Sequence, residues 1–381
     1  MTGQPFILLV DDEQKEESFA LLLSQHGVEA KHVLPDDLSN DDLNRADLVL
    51  IDEFIENWGA RDSVKEQVGL FVRDGIALAG VLRSTLDGRG PSPDFGLSPR
   101  HTALVLRTGR LDALGAGIPA FLRPMDIASR HDLEWVVEKA SASAATLASL
   151  ATAAAALPKD WSDPTEPSAQ LLWLGLDEQP WRDEAVAQIE LCRPPWSVLA
   201  VTSAGRRWLS WFLQRILPFP TFLVDDRRAA SYLGLRPSAL DEIIRDGGPL
   251  AQLLEGAEYQ GQLSTFDGRR WWRAGIAAVK KLALESAEGR MADDVARAIA
   301  SLCGSELEEL GLRHPVFEID ADYNLVHDPL EITDAVRLQP DGWPTYADDP
   351  WLATASIEAE QSLATLIVID DRVDATDSDR E

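Results

Sequence analysis

Two short apolar runs that end in carboxylates constrain the fold more than any other part of this chain. Phe6-Ile7-Leu8-Leu9-Val10 stops at Asp11-Asp12-Glu13, and Asp47-Leu48-Val49-Leu50-Ile51 stops at Asp52. Uninterrupted apolar runs of this length, broken by polar helical stretches, read as strands of a parallel sheet buried on both faces. Acids at the carboxyl ends of such strands lie where open α/β sheets place their sites. Three carboxylates converging there either repel one another or hold a hard cation such as Mg2+, which prefers oxygen ligands.

The segments that follow repeat the alternation. Phe19, Leu22, Leu23 and His26 fall at helical spacing, and Gly27 ends that segment as a C-cap would. Residues 28–34 read as a second strand, after which comes the strand ending in Asp52. Leu70, Val72, Ile76, Leu78, Val81 and Leu82 predict a helix that carries Asp74-Gly75 near its start. Thr102 to Leu106 is a fourth strand, with Arg107-Thr108-Gly109 at its carboxyl end. Ile118-Pro119-Ala120-Phe121-Leu122 reads as a fifth, followed by Arg123-Pro124. Leu133, Val136, Val137, Ala140, Leu147 and Leu150 recur at helical spacing, so residues 131–157 read as one helix of ~40 Å at 1.5 Å per residue, a rigid connector. The expected fold is a doubly wound, five-stranded parallel α/β sheet.

These residues resemble the receiver domain of response regulators. The likeness rests on Asp11-Asp12 after strand one, Asp52 after strand three, Asp74-Gly75-Ile76 opening helix three, Thr108-Gly109 after strand four, and a cation-Pro pair after strand five. It spans roughly residues 5–140. The resemblance implies a flavodoxin-like fold in which Asp52 accepts a phosphoryl group and Asp11, Asp12 and Asp52 ligate Mg2+. It also implies that Thr108 hydrogen-bonds a phosphoryl oxygen, and that the partner is a histidine kinase or another ATPase. A carboxylate is a competent nucleophile toward phosphorus, and Mg2+ neutralises charge on the transferring group. The chain departs from the pattern in several places. The lysine after strand five is expected to be Arg123, and the aromatic position three residues earlier is Ala120, with Phe121 one step late. Asp52 and Asp74 are 22 positions apart, so residues 54–68, with Trp58, read as an insertion, as do residues 85–100. A receiver-like scaffold that is not phosphorylated is the alternative.

The remaining two thirds are less explicit. The expected division is a receiver-like domain over 1–139, a helical connector and linker over 140–168, a helical, winged-helix-like domain over 169–290, and an α+β region over 291–381 that ends in an acidic tail. Most of the twelve tryptophans lie in these later parts. Trp208, Leu209, Trp211, Phe212, Ile216 and Leu217 make a dense helix face, more consistent with core than with a cofactor pocket. Asp225 to Leu235, with Ala229-Ala230 and Leu233-Gly234, resembles the first helix and turn of excisionase-like winged helix-turn-helix domains. A second helix would run over 238–245 and a wing over 260–274, a hairpin turning at Asp267-Gly268. Arg269, Arg270 and Arg273, with Trp271 and Trp272 between them, would then face nucleic acid. Against DNA binding stand the net charge of −29 and the acids Asp241, Glu242 and Asp246 on the would-be recognition helix. A protein-interaction role for the C-terminal region fits that charge better.

Several classes are disfavoured. The chain holds no Walker loop, GxSxG, HExxH or dinucleotide fingerprint, so an enzyme is not expected. Cys192 and Cys303 form no ligand or disulfide pattern. His314, Asp320, Asp322, His327 and Asp328 have ligand residue types but match no metal spacing and read as a solvated loop. No apolar run approaches the ~20 residues that span a bilayer, and the first residues lack a signal-peptide pattern, so a cytoplasmic protein without membrane contact is expected.

Overall fold

The computed structural model describes residues 3–59, 74–87, 101–158, 168–195, 204–287, 294–304, 306–326 and 328–371. Five strands, β1 (Phe6–Val10), β2 (Glu29–Val33), β3 (Leu48–Asp52), β4 (Ala103–Thr108) and β5 (Trp135–Glu138), pair in parallel in the order β2-β1-β3-β4-β5. This is the doubly wound, flavodoxin-like order, whose site lies at the carboxyl ends of β1 and β3.

Every residue of β1, β3 and β4 is buried, as two covered faces require. Strand periodicity divides them between two cores. Ile7, Leu9, Leu48, Leu50 and Val105 pack with Leu23 of α1 (Glu17–Ser24) and with the alanine-rich helix over 144–155. Leu8, Val10, Val49, Ile51, Leu104 and Leu106 pack with Leu43 of α2 (Asn40–Arg45), with Leu78 and Leu82 of α3 (Gly75–Asp87), and with Ile127 of α4 (Arg123–Arg130). Gly27 has φ +79°, the left-handed conformation anticipated after α1.

The fifth strand is not where the apolar run 118–122 placed it. Residues 120–122 form a 3-10 turn that leads into α4, where Pro124 occupies the first turn. Arg123-Pro124 is thus a helix start, because a proline ring is pre-set for that position and has no amide to lose. Topology excludes the sequence-based assignment as well. Only residues 109–117 would separate the two strands, and a parallel crossover needs a dozen or more. Trp135-Val136-Val137-Glu138 supplies β5 instead, aligned with Val105 to Thr108. The single helix expected over 131–157 is therefore two elements. Its second half is α5 (Ala144–Ala155), capped by Ser143, whose hydroxyl accepts from the Thr146 amide at 3.0 Å. Helix α5 lies against the sheet rather than projecting as a connector.

Beyond α5, the core continues through an aromatic cluster. Helix α6 (Ser168–Trp173) ends in Trp173, whose indole donates to the Ala153 carbonyl at 3.1 Å. Helix α7 (Arg182–Leu191) and α8 (Ala204–Trp211) follow, and α8 runs on as a π-helical turn, Phe212–Ile216. Trp208, Leu209, Trp211, Phe212, Ile216 and Leu217 are all buried, so the apolar face is core. Gln214 on this turn donates to the Leu133 and Glu134 carbonyls at 2.8 and 3.1 Å. Trp135 meets Phe266 edge-on at 5.7 Å. The C-terminal region thus covers β5, which would otherwise be an exposed sheet edge.

Strand β6 (Leu223–Asp225) leads into α9 (Asp226–Tyr232) and α10 (Pro237–Asp246), close to the two helices anticipated there. The expected wing hairpin is absent. Residues 270–272 form β7, which pairs antiparallel with β6 and passes directly into α12 (Arg273–Ser286), after α11 (Pro249–Ala257). Trp271 and Trp272 are both buried, which draws the segment into the core instead of leaving it as a projecting ribbon. After helix α13 (Val295–Cys303), and before a further short helix (Gln361–Ala364), come two small antiparallel pairs. These are β8 (Pro315–Val316) with β9 (Leu330–Glu331), and β10 (Ala335–Arg337) with β11 (Trp351–Ala353). Leu366 to Asp370, an apolar run that reads as a strand, pairs only through a bridge from Ile367 to Leu338 and turns helical at Ile369. Among the described residues, no helix is long and apolar enough to cross a membrane.

One buried ion pair ties these layers together. Arg83 on α3 donates two bonds, 2.6 and 2.8 Å, to Glu134, which also accepts from the Leu104 amide. Arg206 on α8 pairs with Asp132 at 2.7 Å. Removing one partner of a buried pair strands the other charge. Arg83→Ala is therefore expected to cost about 3–5 kcal/mol in urea unfolding, while Arg83→Met combined with Glu134→Gln, which keeps an acceptor for the Leu104 amide, recovers part of the loss.

Candidate functional site

The carboxyl ends of β1 and β3 bring Asp11, Asp12 and Asp52 together, with one carboxylate oxygen of each within 4.8 Å of the others. Among the described residues, this is the one such group with metal-ligating chemistry. Asp11 and Asp52 are 0 and 2 % exposed. Asp11 accepts from the Glu13 amide at 2.9 Å. Asp12 anchors the start of the long loop after β3, accepting at one oxygen from the Glu56 and Asn57 amides (3.0 and 2.7 Å) and the Asn57 side chain (3.1 Å). That part of the anticipated insertion is therefore tied to Asp12. Residues 60–73 and 88–100, which hold the rest of the two insertions, lie outside the described residues.

The cation beside these acids is Lys139. Its amide donates to the Thr108 carbonyl at 2.7 Å, which fixes it at the carboxyl end of β5. Its ammonium lies 2.7 Å from Asp52 and 3.4 Å from Asp11. Arg123, the expected cation, is not at the cluster. It pairs with Asp112, and its Nε donates to the Ile118 carbonyl at 2.9 Å. The reason is the strand assignment: moving β5 from 118–122 to 135–138 moves the residue that follows it. Trp135-Val136-Val137-Glu138-Lys139 carried the needed signal, a β-rich run closed by a cation. Its apolar positions also suited a helix, which hid it.

Thr108 is fully buried at the end of β4. Its hydroxyl donates to Glu53 at 3.1 Å and accepts from the Arg110 amide at 2.9 Å. Glu53, which directly follows Asp52, is itself 4 % exposed and is bound by the Arg110 guanidinium. Glu53, Arg110 and Arg107 also belong to this strand end, and no motif in the sequence marks their roles. Arg107 is buried, pairs with Glu16 at 2.6 Å, and lies 3.9 Å from Asp11. Gly75 has a steric role: a Cβ there would sit 1.8 Å from the Asp52 carbonyl oxygen. The start of α3, capped by Asp74 through the Ala77 amide at 2.9 Å, therefore packs directly on the end of β3.

Burial raises Asp52 to about 6, reinforced by the neighbouring Asp11 and Asp12 charges and opposed by Lys139. Burial also raises Asp11. On Lys139, burial is outweighed by pairing with Asp52, so its ammonium is held more firmly than usual. If all three acids ionise, three negative charges face one ammonium. That surplus, borne by hard oxygen donors within reach of one another, fits a divalent cation such as Mg2+.

The wing arginines are not a free basic surface. Arg269 binds Asp226 and Asp241 at 2.8 and 2.6 Å, Arg270 binds Asp267 at 2.9 Å, and Arg273 binds Asp348 at 2.7 Å. The residues 314–328 form no metal group among those described. Asp320 closes a local turn onto the Asp322 and Asn324 amides, and Asp322 accepts from the Ala120 amide at 3.0 Å.

No family model matches this chain, and no curated protein matches it. Among solved structures, it aligns with NtrX from Brucella abortus in complex with ADP at 18 % identity and a TM-score of 0.27. That alignment covers 50 % of this chain and 35 % of the other, so this chain spans about a third of that protein's length. At this similarity, the fold assignment rests on the strand order and not on the alignment.

Because Asp52 is raised in the fold, its protonated form is favoured there. The associated stability is complete below its unfolded value of 3.8 and is lost as pH climbs through about 6. In metal-free buffer, the melting temperature of wild type is expected to fall between about pH 5 and 7 by more than that of Asp52→Asn. Adding Mg2+ at pH 7.5 should raise the wild-type value, and should do so far less for Asp52→Asn.

Proposed function

We propose that this chain is a signalling protein of response-regulator type, whose α/β unit accepts a phosphoryl group on Asp52 and works through the C-terminal region docked against β5. The observation that carries this reading is the ion pair at 2.7 Å between Asp52 and Lys139, which follows β5, set among three acids at the ends of β1 and β3. A lysine at that strand end is what the receiver resemblance calls for.

The roles follow from the geometry. Asp52, raised to about 6, is largely ionised at neutral pH and supplies the nucleophilic oxygen. It attacks the phosphorus of a phosphorylated donor in line, and the bond from phosphorus to the donor's leaving atom breaks. Asp11, Asp12 and Asp52 would hold Mg2+, which when bound neutralises charge on the transferring group. Lys139 carries its own positive charge to the same point and orients the Asp52 carboxylate before reaction. The donor class is a kinase or other ATPase phosphoprotein.

The same arrangement motivates a second reading, a receiver-like scaffold that is never phosphorylated. Its support is that Lys139 and Glu53 already hold Asp52 and Thr108 in internal contacts. Labelling separates the two readings. With acetyl phosphate and Mg2+, intact mass should show one phosphate on wild type, none on Asp52→Asn, and at least about tenfold less on Lys139→Ala. Raising the pH from about 5 to 7 should increase the labelling rate as Asp52 ionises. No label on a folded wild-type protein would favour the scaffold.

A further inference from the structure

Glu53 accepts from both side-chain donors beside the end of β4, Thr108 and Arg110. The chain turns immediately after Asp52, the Glu53 amide donating to the Arg107 carbonyl at 3.0 Å, and this turn leaves the Glu53 side chain buried against the end of β4. There its carboxylate collects the two donors at that strand end. The Thr108 hydroxyl donates to one oxygen at 3.1 Å, and Arg110 Nε donates to the same oxygen at 3.2 Å. The other oxygen receives Arg110 Nη2. Arg110 is steadied by stacking on Phe54, its guanidinium carbon 4.7 Å from the ring centre. A hydroxyl has one proton to donate, so Thr108 cannot serve Glu53 and a second anion together.

We propose that Glu53 is a positioning residue that acts as an internal anion: it occupies Thr108 and Arg110 and keeps a phosphate-type oxyanion from binding beside Asp52 until it is displaced. This rests on the reading of the pocket as a phosphoryl-accepting site. It goes beyond that reading by assigning control of the pocket to a carboxylate carried on the residue next to the acceptor. The end of β4 is then held in its anion-bound arrangement whether or not Asp52 is modified. A phosphoryl group gains Thr108 only by turning Glu53 out toward solvent.

The test uses inorganic phosphate as probe, titrated with Mg2+ into the full chain and followed by 31P line broadening. Glu53→Ala should bind phosphate at least about tenfold more tightly than wild type, because it frees one hydroxyl and one guanidinium. Adding Thr108→Val to Glu53→Ala should reduce the gain, and adding Arg110→Ala as well should abolish it. If thermal melting shows Glu53→Ala unfolded, Glu53→Gln, which is neutral and keeps the side-chain volume, should give a smaller gain of the same sign. Equal affinity in wild type and the folded Glu53 variants overturns the proposal, as does a gain left unchanged when both Thr108→Val and Arg110→Ala are added. Acetyl-phosphate labelling of the same variants is scored separately. A phosphate response without any Asp52 label refutes the phosphoryl-acceptor reading and leaves the Glu53 assignment standing.

Discussion

The structure is arranged around the cost of burying carboxylates at the ends of two adjacent strands. Asp11 and Asp52 have almost no exposure, and charge in such a place is disfavoured unless it is paired. Lys139 supplies the counter-charge, and it can do so because β5 ends beside β4. Gly75 lets α3 close over the same strand end, and the loop after β3 folds back to donate two amides to Asp12. Each of these elements is placed by the sheet, and each meets the acids from a different direction.

A second set of contacts binds the sheet to the rest of the chain. Glu134 begins the segment that becomes β5, and its pair with Arg83 is buried between layers. Gln214 reaches the backbone of the same segment from the C-terminal region. Phe121, at the turn before α4, packs on Phe219 and Trp343. The strand that delivers Lys139 is therefore also the strand against which the C-terminal region is seated. Changes at the acid cluster and changes in that seating share one structural element, a physical basis for coupling between them.

Much of the α/β unit was legible in the chain, because continuous apolar strands have few alternatives. β1 to β4 lie within a residue or two of the runs that announced them, and Asp11, Asp12, Asp52 and Thr108 stand at strand ends as expected. The fifth strand was not legible from periodicity. Residues 133–140 suit a helix and a strand alike at that length, and 118–122 looked more strand-like than a proline-led helix start. Only the length of the crossover from β4 distinguishes them, and that is a property of the sheet. With the strand went its terminal residue, so Arg123 stood in for Lys139. The wing likewise followed a local turn signal at Asp267-Gly268 that burial of Trp271 and Trp272 overrode.

The sequence by itself determined the layered α/β unit and the three acids at its strand ends. Both follow from apolar runs that must be buried on two faces and from the side chains that close them. The tertiary structure decided which cation faces those acids, that Glu53 holds Thr108, and that the arginines around Trp271 are matched to carboxylates. Those outcomes depend on residues distant in sequence meeting at one point, and no local pattern of propensity or spacing encodes such a meeting.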